Sequence, residues 1–163
     1  MVTPKKLEIK TLIEVHQHIE DLQERDAQLL MEAKAALIKS YSPYSGFQVG
    51  AAVLLKDGTI ISGANQENAA YPMCLCAEQV CLAAVRSAQP KATILTMAIT
   101  VQNVHNPVHQ PAAPCGACRQ VLSETEDRQK SPVRLILQGE NGAIYIINSA
   151  KDLLPLSFNQ SFL

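Results

Sequence analysis

Two short segments carry residue types that could do chemistry together: Cys76-Ala77-Glu78 and Pro114-Cys115-Gly116-Ala117-Cys118. Three thiols from two segments can converge on one cation. Zinc binds thiolates well and takes four ligands in tetrahedral geometry, so Cys76, Cys115 and Cys118 would leave its fourth position open. An open position takes a water and lowers the pKa of that water toward ~7. Glu78 follows Cys76 by two residues, a spacing that turns its carboxylate away from the ligand and sets it beside the water. A carboxylate so placed can take a proton from water and hand it to a leaving amine. That is the chemistry of hydrolytic deamination at a heteroaromatic carbon. A Cys-x-x-Cys alone is equally open to structural zinc or redox chemistry. A closed four-thiolate site that adds Cys74 is the structural rival, and a Cys-x-Cys spacing is unusual for such a site.

Each of the two segments opens a predicted helix. Cys76 to Ser87 has Ala77, Val80, Ala83 and Ala84 on one side, and Gly116 to Thr125 reads as a second short helix. An amphipathic helix over Asp21 to Lys39 carries Leu30, Ala33 and Leu37 at helical spacing. Gln48 to Leu55 and Thr59 to Ala64 flank Lys56-Asp57-Gly58, a strong hairpin signal. Ala92 to Val101 is a buried-strand pattern, and Gln102 to Pro114, with three prolines, must be a loop. Val133 to Gln138 and Ala143 to Asn148 read as strands, with a short helix near Ala150 to Leu154. Alternation over Leu7 to Leu12 favours a short strand in an N-terminal extension over residues 1–20. Helices interleaved with strands imply an α/β sandwich with a mixed sheet, partly parallel.

The chain of 163 residues fits one domain, 1–163, with a core of its own. Its net charge of −1 gives no footprint for nucleic acid or an anionic membrane, so the expected partner is a small neutral molecule. No apolar run approaches the ~20 residues a bilayer span needs. No signal-peptide pattern follows Met1 to Lys6, and five cysteines without one point to the cytoplasm.

The two segments match the zinc deaminase pattern in its three-cysteine form. The sequence resembles the homotetrameric zinc-dependent cytidine deaminases, which carry C-A-E and P-C-G-A-C-R-Q. Two further blocks match: Ser42-Pro43-Tyr44-Ser45-Gly46-Phe47-Gln48-Val49-Gly50-Ala51-Ala52, and Asn65-Gln66-Glu67-Asn68-Ala69-Ala70-Tyr71-Pro72. The blocks occur in family order and span roughly Tyr41 to Phe158. The resemblance implies a three-layer α/β/α sandwich on a mixed five-stranded sheet, with the N-terminal extension added. It implies one zinc per subunit on Cys76, Cys115 and Cys118, and Glu78 as proton shuttle. It implies a nucleoside substrate, cytidine or 2′-deoxycytidine, with Asn65 and Glu67 on the ribose and Phe47 against the pyrimidine. It implies pyrimidine salvage by a homotetramer, with Phe158 where the family sends an aromatic toward a neighbouring site.

Four features depart from the family. Gln79 stands where an Arg usually follows the catalytic Glu. That Arg would offset thiolate charge, so Gln79 is expected to shift activity toward higher pH. Arg119 and the two helix N-termini are the available compensations. Cys74 replaces a small residue, the loop from Gln102 to Pro114 is longer and carries His105 and His109, and the N-terminal extension has no assigned purpose. Read without the resemblance, Phe47 could be core, Asn65 and Glu67 could cap a turn, Cys81 is a small core residue, and the loop histidines are solvated. Three rivals stay open: an antibiotic-inactivating relative, a polynucleotide editor and a non-catalytic zinc module.

Overall fold

The computed structural model describes residues 3–163. The strands are β1 (Glu14–His16), β2 (Phe47–Leu55), β3 (Ile60–Ala64), β4 (Ile94–Asn103), β5 (Arg134–Gln138) and β6 (Ile144–Ile147). They form one sheet in the order β1-β6-β5-β4-β2-β3. The helices are α1 (Glu24–Ala36), α2 (Ala77–Ala88) and α3 (Gly116–Gln129). Every neighbouring pair of strands is antiparallel except β4 and β5. That parallel pair needs a crossover, and α3 supplies it.

Alternation along the strands sorts the core into two halves. Ala51, Val53, Leu55, Met97 and Leu135 pack with Cys81 and Val85 of α2 and Leu122 of α3. Ala52, Leu54, Ala98 and Ile136 pack on the other face with Leu29, Leu30 and Ala33 of α1. Each large side chain buried this way contributes about 1.5–3 kcal/mol. The result is the expected three-layer sandwich. Two glycines let helices approach closely. A Cβ on Gly50 would lie 2.1 Å from the Ala33 carbonyl oxygen of α1, and one on Gly63 would lie 2.8 Å from Val80 Cγ1 of α2.

The sheet has six strands rather than five, because the extension contributes β1 at the edge beside β6. The strand is Glu14–His16, and Leu7 to Leu12 is not part of it. Alternation alone did not say which residues would find a partner. The helix expected over Asp21 to Lys39 begins at Glu24 and ends at Ala36. Asp21 is used earlier: its Oδ2 accepts from the amides of Gln17 (3.2 Å) and His18 (2.9 Å) and closes a short 3₁₀ turn, Ile19–Asp21. Leu37–Lys39 is a second such turn. No helix among the described residues is long and apolar enough to cross a membrane.

Candidate active site

Cys76 and Cys115 are the N-cap residues of α2 and α3, and neither side chain caps its own helix. Ser, Thr, Asp or Asn ordinarily fills that position and spends its oxygen on the helix backbone. A cysteine there keeps its thiol available beside the positive end of the helix. Cys118 stands three residues into the same turn as Cys115, on the same side of α3. The Sγ atoms of Cys76, Cys115 and Cys118 lie within 4.8 Å of one another. Cys76 Sγ is 3.8 Å from Cys115 Sγ, and Cys115 Sγ is 3.5 Å from Cys118 Sγ.

The donor set fits zinc. A tetrahedral ion with Zn–S bonds of about 2.3 Å sets its sulfurs roughly 3.8 Å apart. Protonation agrees with the geometry. Hydrogen bonding from the Cys118 thiol holds Cys76 at about 7, helped by Cys115 and opposed by burial and the Glu78 charge. Cys118 is pushed up in turn, first because its thiol donates a hydrogen bond to the Cys76 sulfur and then by burial. One thiolate forms at the expense of its neighbour, so three thiolates require a cation among them. Cys74 is not in the group: its Sγ accepts from the Asn68 amide at 3.2 Å in its own loop. The closed four-thiolate arrangement thus lacks its fourth sulfur.

Glu78 sits in the first turn of α2 and is 4% exposed. Burial raises its pKa, while its own backbone amide and the Cys118 thiol act the other way. Cys76, Glu78 and Cys115 line a cleft of about 320 Å³. Phe47 and Val49 of β2, Ile99 and Val101 of β4, and Ala112 and Ala113 of the long loop form its apolar wall. Asn65, Glu67 and Ser45 line the same cleft. The volume suits a small molecule and is at the lower end for ligand sites.

Backbone bridges set Asn65 and Glu67 in place. The Tyr41 amide donates to the Asn65 carbonyl (3.0 Å), and the Glu67 amide donates to the Tyr41 carbonyl (2.8 Å). Gln66 and Leu75 exchange both backbone hydrogen bonds at 2.9 Å. The Asn65 side chain then pins the start of β2. Its Oδ1 accepts from the Val49 amide (2.8 Å) and the Ser40 hydroxyl (2.6 Å), and its Nδ2 donates to the Phe47 carbonyl (2.9 Å). Among the described residues the second Nδ2 hydrogen finds no acceptor. Glu67 accepts the Ser45 hydroxyl on Oε1 and the Tyr44 and Ser45 amides on Oε2. These bonds, the Ser45 hydroxyl first, hold its pKa below the usual carboxylate value. Ser45 Oγ also accepts the Phe47 amide at 3.0 Å, so one hydroxyl ties Glu67 to Phe47. Ser40 and Ser45 were not singled out from sequence. The second lies within a matched block, where its role as a hydrogen-bond relay has no signature of its own.

The remaining candidates divide. Arg119 Nε donates to the Pro114 carbonyl (2.8 Å) and Nη1 to the Leu153 carbonyl (3.0 Å), which fixes the segment leading into Cys115. Gln79 follows Glu78 and is half-buried. Cys81 is buried, donates to the Ala51 carbonyl at 3.3 Å and is pushed up to about 12, mainly by burial. His109 Nδ1 pairs with Asn141 Oδ1 at 2.6 Å, and His105 is exposed. Glu140 Oε1 accepts the amides of Asn103 (3.0 Å) and Val108 (3.3 Å) and so anchors the long loop. Phe158 is exposed and stacks on Phe162, with centroids 5.5 Å apart. It lines no part of this chain's own cleft.

Residues 23–131, which contain all three thiols and Glu78, match the family described as the cytidine and deoxycytidylate deaminase zinc-binding region. The chain belongs to the cytidine and deoxycytidylate deaminase family. Its relatives include a cytidine deaminase of Halalkalibacterium halodurans, 39% identical over 130 residues, which covers 80% of this chain and 91% of that protein. The crystal structure of a cytidine deaminase from Burkholderia pseudomallei superposes with a TM-score of 0.71 at 39% identity, over 80% of this chain and 97% of the other. A cytidine deaminase structure from Mycobacterium tuberculosis gives a TM-score of 0.62 at 31% identity, over 81% and 95% of the two chains. Zinc is the family's metal, and the three-thiol cluster of this chain is suited to hold it.

Proposed function

We propose that the protein is a zinc-dependent hydrolase that converts cytidine and 2′-deoxycytidine, with water, to the corresponding uridine nucleoside and ammonia. The observation that carries this reading is the buried Glu78 carboxyl beside the three thiols, in an apolar cleft that also presents Asn65 and Glu67. Cys76, Cys115 and Cys118 would hold one zinc per subunit, which when bound supplies the Lewis acidity that makes a water nucleophilic near neutral pH. Glu78 accepts the proton lost by the attacking water and delivers it to the departing 4-amino group. Burial suits that work, because it favours the protonated carboxyl that the second half of the transfer needs. Phe47, Val49, Ile99 and Val101 pack on the pyrimidine and exclude bulk water. The free Nδ2 hydrogen of Asn65 donates to a ribose hydroxyl, and a Glu67 oxygen accepts from it. The assembly in this reading is a homotetramer of the cytoplasm. Exposed Tyr44, Tyr71, Met73 and Leu75 near the cleft form an apolar rim that a neighbouring subunit would cover.

Loss of cytidine absorbance tests the reaction, with Glu78→Gln as the paired variant. Turnover in the parent, reduced on the order of 10²–10⁴-fold in Glu78→Gln with zinc content unchanged, is the expected result. Equal rates in the two proteins would remove Glu78 from the reaction. Deoxycytidine and free cytosine assayed alongside report what Asn65 and Glu67 read.

A further inference from the structure

Residues 3–22 precede the segment that matches the family, and nothing in the site uses them. From Leu7 to Val15 their apolar side chains find no cover. Leu7 and Leu12 are each 79% exposed, Ile9 50% and Val15 54%. The chain becomes a strand at Glu14. Lys10 Nζ lies 3.3 Å from Glu8 Oε1, and His16 Nε2 lies 3.9 Å from Glu14 Oε2, so side chains two apart share a side. β1 is the edge strand, paired with β6 only on its inner side. The Thr11 hydroxyl, donating to the Asp152 carbonyl at 2.6 Å, ties the arm to the 3₁₀ turn Ala150–Leu153 that follows β6. An edge strand with apolar flanks is a template for another strand.

We propose that this arm pairs with the same arm of a second copy, antiparallel, about a two-fold axis through Leu12. Residues 8–10 of one copy then lie beside β1 of the other, and the two sheets join across the edge. The residue pattern selects this register. It sets Lys10 against Glu14 and Glu8 against His16, each pair occurring twice. Leu12 meets Leu12 on the same side. On the opposite side Ile9 meets Val15 and Thr11 meets Ile13. Moving the axis one residue toward the N-terminus sets Glu8 against Glu14. Moving it one residue the other way sets Lys10 against His16 and Leu12 against Glu14. Opposite charges across an antiparallel pair stabilise it and like charges oppose it. A two-fold contact must also be complementary to itself.

Cysteine substitutions in the full-length, zinc-loaded protein test both the contact and its register, with linked peptides identified by mass spectrometry after mild oxidation. Leu12→Cys faces itself across the axis and should form a 12–12 disulfide between chains. Ile9→Cys should not link to another Ile9→Cys chain, since the register leaves the two roughly 20 Å apart. Mixed with Val15→Cys it should link at least ~10 times faster than with itself, because those positions face each other. Lys10→Glu added to Leu12→Cys should slow the 12–12 link, as should Glu14→Lys. Mixing the two charge-reversed chains should restore it, since both 10–14 pairs between them are then opposite in sign. Absence of the 12–12 link overturns the proposal, as does an Ile9→Cys self-link as fast as the 9–15 link. Charge reversal without effect on the link does the same. Unchanged cytidine turnover in each variant shows that the fold is intact.

Discussion

Replacing Asn65 by Ala separates two jobs that one side chain performs. The side chain holds three partners: the Val49 amide, the Ser40 hydroxyl and the Phe47 carbonyl. Ser40 can rotate toward water when the amide is removed. The Val49 amide and the Phe47 carbonyl cannot move with it, because β4 holds this end of β2 through the Phe47–Asn103 and Val49–Val101 pairs. Two half-buried backbone groups then lose their partners, at about 1–1.5 kcal/mol each when water can partly replace them. The expected loss is roughly 2–3 kcal/mol of stability, which for a chain of this size lowers Tm by roughly 4–12 °C. Circular dichroism during thermal unfolding, at fixed protein and zinc concentration, measures it. The KM for cytidine should rise in the same variant, because the ribose contact is lost. Ser40→Ala removes one of the three bonds and touches no substrate, so it should lower Tm slightly and leave KM near the parent value. A Tm within a degree of the parent in Asn65→Ala would refute the reasoning and leave the amide a substrate contact alone.

Glu67 gives a pH signature. Its folded pKa lies below 4.5, because the Ser45 hydroxyl and then the Tyr44 amide favour the carboxylate. Between that value and the unfolded one the folded chain binds fewer protons, so the contribution is complete above the unfolded pKa and fades as pH falls through the folded one. The stability difference between parent and Glu67→Gln should therefore be constant at neutral pH and shrink below roughly pH 4.5. Urea unfolding at several pH values checks it, and a difference independent of pH would count against it. Cys81, pushed up to about 12 and buried, should resist iodoacetamide in the native protein and react once urea unfolds the chain. Mass spectrometry of the labelled peptides reads this, and rapid native labelling of Cys81 would show that burial does not protect it.

The chemistry was legible in the sequence because it depends on short spacings that helix starts preserve. Cys76, Glu78, Cys115 and Cys118 could be read as one site before any fold was known, and the layers followed from the periods of the elements between them. What stayed hidden depends on partners distant in sequence. Residues 7–12 alternate better than Glu14-Val15-His16, yet the latter form the strand, since β6 reaches only that far. α3 runs to Gln129, past the expected Thr125, because the Gln129 side chain bonds both the amide and the carbonyl of Ile94. Lys130, at φ 56°, then ends the helix in the left-handed region. Ser45 and Glu140 act on residues they are remote from in the chain or bind only through backbone atoms, and neither relation leaves a motif.

The single parallel pair in the sheet decides where the site can exist. A chain that must return to lay β5 alongside β4 in the same direction has to travel back the length of the sheet, and α3 makes that journey. Its first residue therefore departs from the end of the sheet where β4 finishes, and α2, which runs back before β4 begins, starts at that same end. Two helix beginnings face each other as a matter of route. Were the crossover replaced by a hairpin, β5 would be reversed and the return helix lost, and no substitution at Cys115 or Cys118 could rebuild the cluster. Insertions at the far end, in the connection 89–93 between α2 and β4, leave that route intact. The chain can thus vary its length there while the route keeps the two thiol-bearing turns together.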